Sequence, residues 1–184
     1  MMFEGLIARI ARELAKADLP YMVIGGQAVL LHGAPRMTKD IDITVGLDAE
    51  SLESFLPAVN AMDLEIIPED FRSFVKQTFV LPTRDETSGI RVDFIFSFTP
   101  YERQAMSRSK TVLLKGTDVM FASAEDLIIH KIFAGRPRDL EDIRSILLKN
   151  PGIDKDYIKN WLVEFEKSPE KEDLVKAFED VLNE

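Results

Sequence analysis

The tightest constraint on how this chain can fold is the segment Asp40-Ile41-Asp42-Ile43-Thr44-Val45. Polar side chains alternate there with branched apolar ones, which is the period of a β-strand. Ile41, Ile43 and Val45 turn to a core, while Asp40 and Asp42 share the opposite face. Two carboxylates at i and i+2 on one strand face repel each other unless a cation stands between them. The plainer alternative is a solvent-washed strand with two unrelated acids. A second alternating segment, Ile90-Arg91-Val92-Asp93-Phe94-Ile95-Phe96, sets Asp93 amid β-branched and aromatic residues. An acid in such a setting is costly unless paired or metal-bound. Arg91 is the ordinary partner, and a divalent cation shared with Asp40 and Asp42 is the other. Oxygen-only donors, with no nearby His or Cys, suit Mg²⁺ or Mn²⁺.

Around these segments the pattern is mixed first and helical later. Leu6, Ile7, Ile10, Ala11 and Leu14 form one stripe, which predicts a helix over 3–17. Tyr21–Ile24 reads as a short strand running into Gly25-Gly26, then a tight turn and a helical stretch from Gln27 to about Leu31. Asp48 reads as the N-cap of a helix reaching Met62. Strands are expected at Leu64–Ile67 and Thr78–Leu81, a short helix at Glu69–Lys76, and a polar turn at Thr83–Gly89 that makes a hairpin with the Asp93 strand. Thr99-Pro100 opens a short helix to Arg108. Thr111–Leu114 and Val119–Phe121 read as strands. Helices follow at Ala124–Phe133, Asp139–Asn150, Asp154–Glu166 and Glu170–Asn183, broken at Gly135–Pro137, Pro151–Gly152 and Ser168–Pro169. The expected organisation is a core over 1–122 and a helical region over 123–184.

Composition narrows the chemistry. The chain has 184 residues, 46% of them hydrophobic, and no cysteine. A sizeable core is therefore expected, and disulfides, thiolate metal sites and cysteine nucleophiles are excluded. The first residues form an amphipathic pattern with acids in it, unlike a signal peptide. No stretch approaches the about 18 apolar residues that span a bilayer. A cytoplasmic protein with no membrane association is expected. The net charge of −9 argues against broad coating of nucleic acid. The charge is uneven, however: residues 101–149 carry a slight excess of Lys and Arg, and residues 151–184 a strong excess of acids.

The string Ile24-Gly25-Gly26, followed after residues 27–39 by Asp40-Ile41-Asp42-Ile43, resembles the signature of the polymerase-β-like nucleotidyltransferase superfamily. Asp93, flanked by Val92 and Phe94, resembles its third acid on a later strand. Within the superfamily the run from Gly25 through Thr38-Lys39-Asp40-Ile41-Asp42-Ile43 is similar to the AbiEii/AbiGii toxin-like and small antibiotic-adenylyltransferase-like branches. The resemblance implies an α+β fold, a nucleotidyltransferase-type mixed sheet flanked by helices and followed by a C-terminal helical region. It implies a metal-dependent enzyme that moves a nucleoside monophosphate from an NTP to a hydroxyl of RNA or tRNA, a protein or a small molecule, releasing pyrophosphate. Asp40, Asp42 and Asp93 would be the catalytic metal ligands, and Gly25 and Gly26 would cradle phosphates. Gln27 stands where many relatives carry Ser or Thr, and its amide could donate in the same place.

Arg36, Thr38 and Lys39 precede the acidic strand and read either as triphosphate contacts or as an ordinary polar loop. Lys131, followed by Arg136-Pro137-Arg138-Asp139, resembles a lysine of the toxin-like relatives, which makes it a candidate distal phosphate contact. Its alternative is a solvated lysine on an amphipathic helix. Asp139 and Asp142 read as capping residues or partners of Arg138. His32 and His130 read as structural, because no third ligand stands at zinc-like spacing. Trp161, Phe165 and Phe178 are spaced as helical core. Two other functions are compatible with these residues: a non-catalytic nucleotide- or partner-binding module, and the toxin of a toxin–antitoxin pair with a cognate antitoxin as partner.

Overall fold

The structure is a computed structural model that describes residues 2–168 and 172–183. The chain divides into two compact units. One comprises Met1–Gln27 and Met37–Ala122, the other Ala28–Arg36 and Ser123–Glu184.

The first unit is built on a mixed sheet that has, among the described residues, seven strands in the order β3-β4-β5-β2-β1-β7-β6. These are β1 Tyr21–Ile24, β2 Asp40–Val45, β3 Glu65–Ile66, β4 Val80–Arg84, β5 Arg91–Phe96, β6 Lys110–Leu114 and β7 Thr117–Phe121. β2 runs parallel to β5 and β1 parallel to β7; the other neighbours are antiparallel. This is the α+β class and mixed sheet expected from the sequence. The alternation in β2 and β5 sorts side chains as the pattern requires: Ile41, Ile43, Val92 and Phe94 are fully buried, while Asp40, Asp42 and Asp93 are half-buried. Phe55 fills the apolar side, meeting Phe94 and Phe96 edge-on with ring centres 5.1 and 5.5 Å apart. That geometry favours the positive edge of one ring against the negative face of the other.

Helix α1, Met2–Lys16, buries the expected stripe. Arg9 on it reaches Asp85, whose carboxylate also accepts from the backbone N–H of Ser88, so the β4–β5 turn is tied to α1. Three elements differ from the sequence expectation for identifiable reasons. The helix after Asp48 begins as a single 3₁₀ turn, Ala49–Ser51, and only then becomes α3, Leu52–Ala61; Asp48 gives no side-chain cap. Helix α4 spans Phe71–Thr78, capped by Asp70 and closed by Phe79 in the left-handed region. The following strand is therefore displaced to Val80–Arg84, although Pro82 gives that segment the look of a turn. Pro82 fits beside the end of the two-residue β3, where its carbonyl accepts from the Ile67 N–H. Thr99 and Glu102 form the capping box of α5, Pro100–Ser107.

The second unit takes all but the first residues of α2, Gly25–His32, and the helices α6 Ala124–Ala134, α7 Pro137–Lys149, α8 Lys155–Glu166 and α9 Leu174–Asn183. Leu127, Ile128, Ile129, Ile143, Ile146, Ile158, Leu162 and Phe178 form its buried centre. Phe165 contacts both Phe133 and Trp161, so these aromatics pack together as their helical spacing suggests. The expected break at Pro169 and helix start at Glu170 lie outside the described residues; among those described, α9 begins at Leu174. No helix among the described residues is long and apolar enough to cross a membrane.

Candidate active site

The sheet register does the essential placing. Asp42 stands opposite Asp93 on the parallel β2–β5 pair, and Asp40 opposite Arg91. On its other side Asp42 faces Ile24, the last residue of β1. Register partners project to the same face, and neighbouring strands lie about 4.8 Å apart. Asp40, Asp42, Asp93 and Arg91 therefore share one patch of one face. Arg91 Nε donates to Asp93 Oδ1 at 2.7 Å. That bond is the largest cause of the raised Arg91 pKa, and the charges of Asp93, Asp40 and Asp42 add to it, so one guanidinium feels all three acids. Among the described residues no three His, Cys, Asp or Glu side chains are already gathered as an ion cage. The arginine supplies the counter-charge instead.

Helix α2, Gly25–His32, starts directly after β1 and is entered through Gly25, whose φ is +60°. A Cβ on Gly25 would come within 1.9 Å of Asp42 Oδ2 and 2.8 Å of its Cγ. The backbone thus runs against the Asp42 carboxylate at a distance only glycine allows. Gly25→Ala should cost about 1–2 kcal/mol for the left-handed conformation alone and push Asp42 out of place. Thermal denaturation and the response to Mg²⁺ with an NTP check this; an alanine variant with parental values for both contradicts it. Gln27 is buried, and its Nε2 has no hydrogen-bond partner among the described residues. A buried donor left unpaired costs about 1–3 kcal/mol, so its presence one residue after the glycines asks for an acceptor there. Thr38 Oγ1 lies 3.3 Å from both Asp40 Oδ1 and the Asp40 carbonyl, which orients that carboxylate.

Two expected site residues fall in the second unit. Lys131 is only 4% exposed; its Nζ donates to Asp139 at 2.9 Å and to Asp142 at 2.6 Å. Asp142 also receives Arg36 through Nε at 2.8 Å and Nη2 at 3.0 Å. Asp139 accepts from Arg136 Nε at 2.7 Å and from the Arg136 backbone N–H at 3.3 Å, which caps α7. Lys131 is therefore the centre of a buried ion network and not a lysine in solvent. The segment carrying Arg36 is held to α7 by further bonds, from the Ala34 N–H to Ser145 Oγ and from Lys149 Nζ to the Gly33 carbonyl. Arg84 lies in a stretch whose sequence pattern is that of a turn, yet it stands on β4 directly opposite Arg91.

The donor set fits a divalent hard cation. It is all carboxylate, its members come from i, i+2 and a register partner, and its mutual repulsion falls when a cation joins. The glycine cradle and the orphan Gln27 amide fit an anionic group beside that cation.

The sequence model of a family described as "Nucleotidyltransferase of unknown function (DUF6036)" matches residues 3–183. No curated protein matches the chain. Among solved structures the chain is similar to an antigenic nucleotidyltransferase-like protein from Paracoccidioides brasiliensis, at 18% identity and a TM-score of 0.58, covering 95% of this chain and 92% of that one. It is also similar to the antibiotic-resistance factor ANT(2'')-Ia, at 17% identity and a TM-score of 0.59 over 90% of this chain and 92% of that one. A structure of the same factor with adenylyl-2''-tobramycin gives 16% identity and a TM-score of 0.59, covering 91% and 98%.

Proposed function

The chain belongs to this DUF6036 family of nucleotidyltransferases, and on that premise we propose that the patch of Asp40, Asp42 and Asp93 transfers a nucleoside monophosphate from an NTP to a hydroxyl acceptor. The observation that carries the reading is the register Ile24, Asp42, Asp93, which sets two carboxylates side by side and runs Gly25 against one of them.

Asp40, Asp42 and Asp93 would hold the divalent cation, Mg²⁺ or Mn²⁺, which when bound neutralises charge on the transferring phosphoryl group. The chain's own groups do the rest. The backbone N–H groups at the start of α2 and the Gln27 amide face the triphosphate. Thr38 fixes the Asp40 carboxylate. The acceptor oxygen bonds to the α-phosphorus as the bond from that phosphorus to the bridging oxygen breaks, and pyrophosphate leaves. The hydroxyl proton passes to the Asp93 carboxylate, freed from Arg91 once the cation is bound. Arg36 and Lys131 have their charges committed to Asp142 and Asp139, and the proposal assigns them a bracing role rather than a phosphate.

Incubation with each α-labelled NTP, Mg²⁺ and a total extract of RNA, protein and metabolites tests the reading. Label should enter one fraction as pyrophosphate is released; no transfer from any NTP, together with no thermal response to Mg²⁺ and NTP, removes it. A place in the AbiEii-like branch, with a restraining partner protein, rests on the Gly25–Ile43 string and on Lys131 with the Arg136–Asp139 run after it. Its test is growth arrest on expression that Asp42→Asn relieves; arrest unchanged by that substitution speaks against it.

A further inference from the structure

The strand order separates the two ends of the proposed reaction. β1 and its diglycine lie on one side of β2, and β5 and β4 on the other. If the triphosphate occupies the Gly25 side of Asp42, the attacking hydroxyl must come from the side of Asp93, over β5 and β4. This inference therefore rests on the nucleotidyl-transfer reading.

What stands on that side is a pair of arginines. Arg84 on β4 is the antiparallel register partner of Arg91 on β5, as Pro82 is of Asp93. Both arginines are exposed and share the face of the three acids. Like charges directly opposite each other on an antiparallel ladder are destabilising, with Cβ atoms about 4.5–5.5 Å apart. Arg91 has part of its charge met by Asp93 through Nε. Arg84 has no ion pair among the described residues, although Glu65 of β3 is its register partner on the outer side. Two guanidinium groups held side by side, one of them in no ion pair among the described residues, form a setting for an anion that both can reach. Guanidinium forks bind phosphate oxygens in pairs, a geometry an ammonium lacks.

We propose that the acceptor is a molecule carrying a phosphate close to its attacking hydroxyl, and that Arg84 and Arg91 hold this phosphate on the Asp93 side of the site. The pair is small, and the chain is acidic overall with a net charge of −9, so one or two phosphate groups, rather than a long polyanion, match its reach. The same pair repels a polycationic acceptor such as an aminoglycoside. Arg84 acts on acceptor binding and not on the nucleotide.

The test compares the parent with Arg84→Glu and Arg84→Lys, using α-labelled ATP, Mg²⁺ and three acceptors: a short RNA ending in a free 3′ hydroxyl, ribose 5-phosphate, and kanamycin. The proposal expects label in the RNA or in ribose 5-phosphate, and the arm that takes it distinguishes a polynucleotide end from a small phosphate ester. It expects Arg84→Glu to raise the acceptor KM at least tenfold, Arg84→Lys to recover part of that, and the thermal shift with Mg²⁺ and ATP to stay parental in both. Label in kanamycin, or an unchanged acceptor KM in Arg84→Glu, overturns the proposal while the thermal shift leaves the nucleotidyl-transfer reading standing. Absence of that shift in the parent overturns both.

Discussion

Asp40→Asn combined with Asp42→Asn is expected to lower nucleotidyl transfer by at least about 10³-fold, since the cation and its ligands supply several kcal/mol at the transferring phosphoryl group and each 1.36 kcal/mol is tenfold. The same variant should lose the thermal response to Mg²⁺ with an NTP. In the parent, ligand at about 100 times its Kd adds about 2.7 kcal/mol to native stability, which for a chain of this size is about 5–10 °C in Tm. Without ligand the double variant should be no less stable than the parent, because it removes two like charges from one strand face. That combination separates a lost site from a damaged fold. A double variant that answers Mg²⁺ and NTP as the parent does would mean the site lies elsewhere.

The second large effect belongs to the helical unit. Lys131→Met should destabilise the chain by about 3–5 kcal/mol, the usual cost of removing one partner from a buried ion network. It leaves Asp139 and Asp142, both buried, paired with Arg136 and Arg36 among the described residues. The acid limb of the stability curve should move as well. In the parent, burial works to raise the Asp139 pKa, but the hydrogen bonds from Arg136 and Lys131 and their charges outweigh it, so the pKa is depressed. A depressed carboxyl stabilises the native state above its unfolded value of about 4 and loses that contribution as pH falls through its folded value. Without Lys131 the depression shrinks, so this carboxyl has less stability to lose, and the fall in stability on acidification should be smaller in the variant than in the parent. Urea denaturation of parent and variant from neutral pH to pH 4 checks both statements. Equal stabilities across that range would mean that Lys131 does not carry the network.

The parts of this molecule that announce themselves in the sequence are those where one local rule decides. β1 and β2 occupy Tyr21–Ile24 and Asp40–Val45 as their patterns require, because alternation and β-branching leave little choice of face. The cap at Thr99 is equally local, whereas Asp48, read as a cap by the same rule, makes no side-chain cap. What resists reading is set by neighbours distant in the chain. That Asp42 sits beside Asp93 is a property of the β2–β5 register. Strand pattern tells which face each acid takes, not which residue lies opposite. β4 is only half visible: Thr78–Leu81 reads as a strand, but Thr83 and Arg84 fall in a polar stretch that looks like a turn until β3 and β5 pair with them on both sides. Lys131 looks like a surface lysine on an amphipathic helix. Only the approach of Asp142, itself tied to Arg36 across more than a hundred residues, explains its burial. Gly25 is the converse case. The diglycine is visible in the sequence, but the reason for it, a carboxylate filling the space a Cβ would need, is visible only in three dimensions.

The most direct measurement is anomalous scattering from crystals of the chain grown with Mn²⁺ and a non-hydrolysable NTP. The account predicts a Mn²⁺ peak at about 2.2 Å from carboxylate oxygens of Asp42 and Asp93, with Arg91 Nε drawn off Asp93 and the triphosphate against the N–H groups of Gly25 and Gly26. A site empty of Mn²⁺, with Arg91 still bound to Asp93 and the nucleotide elsewhere or absent, would contradict it.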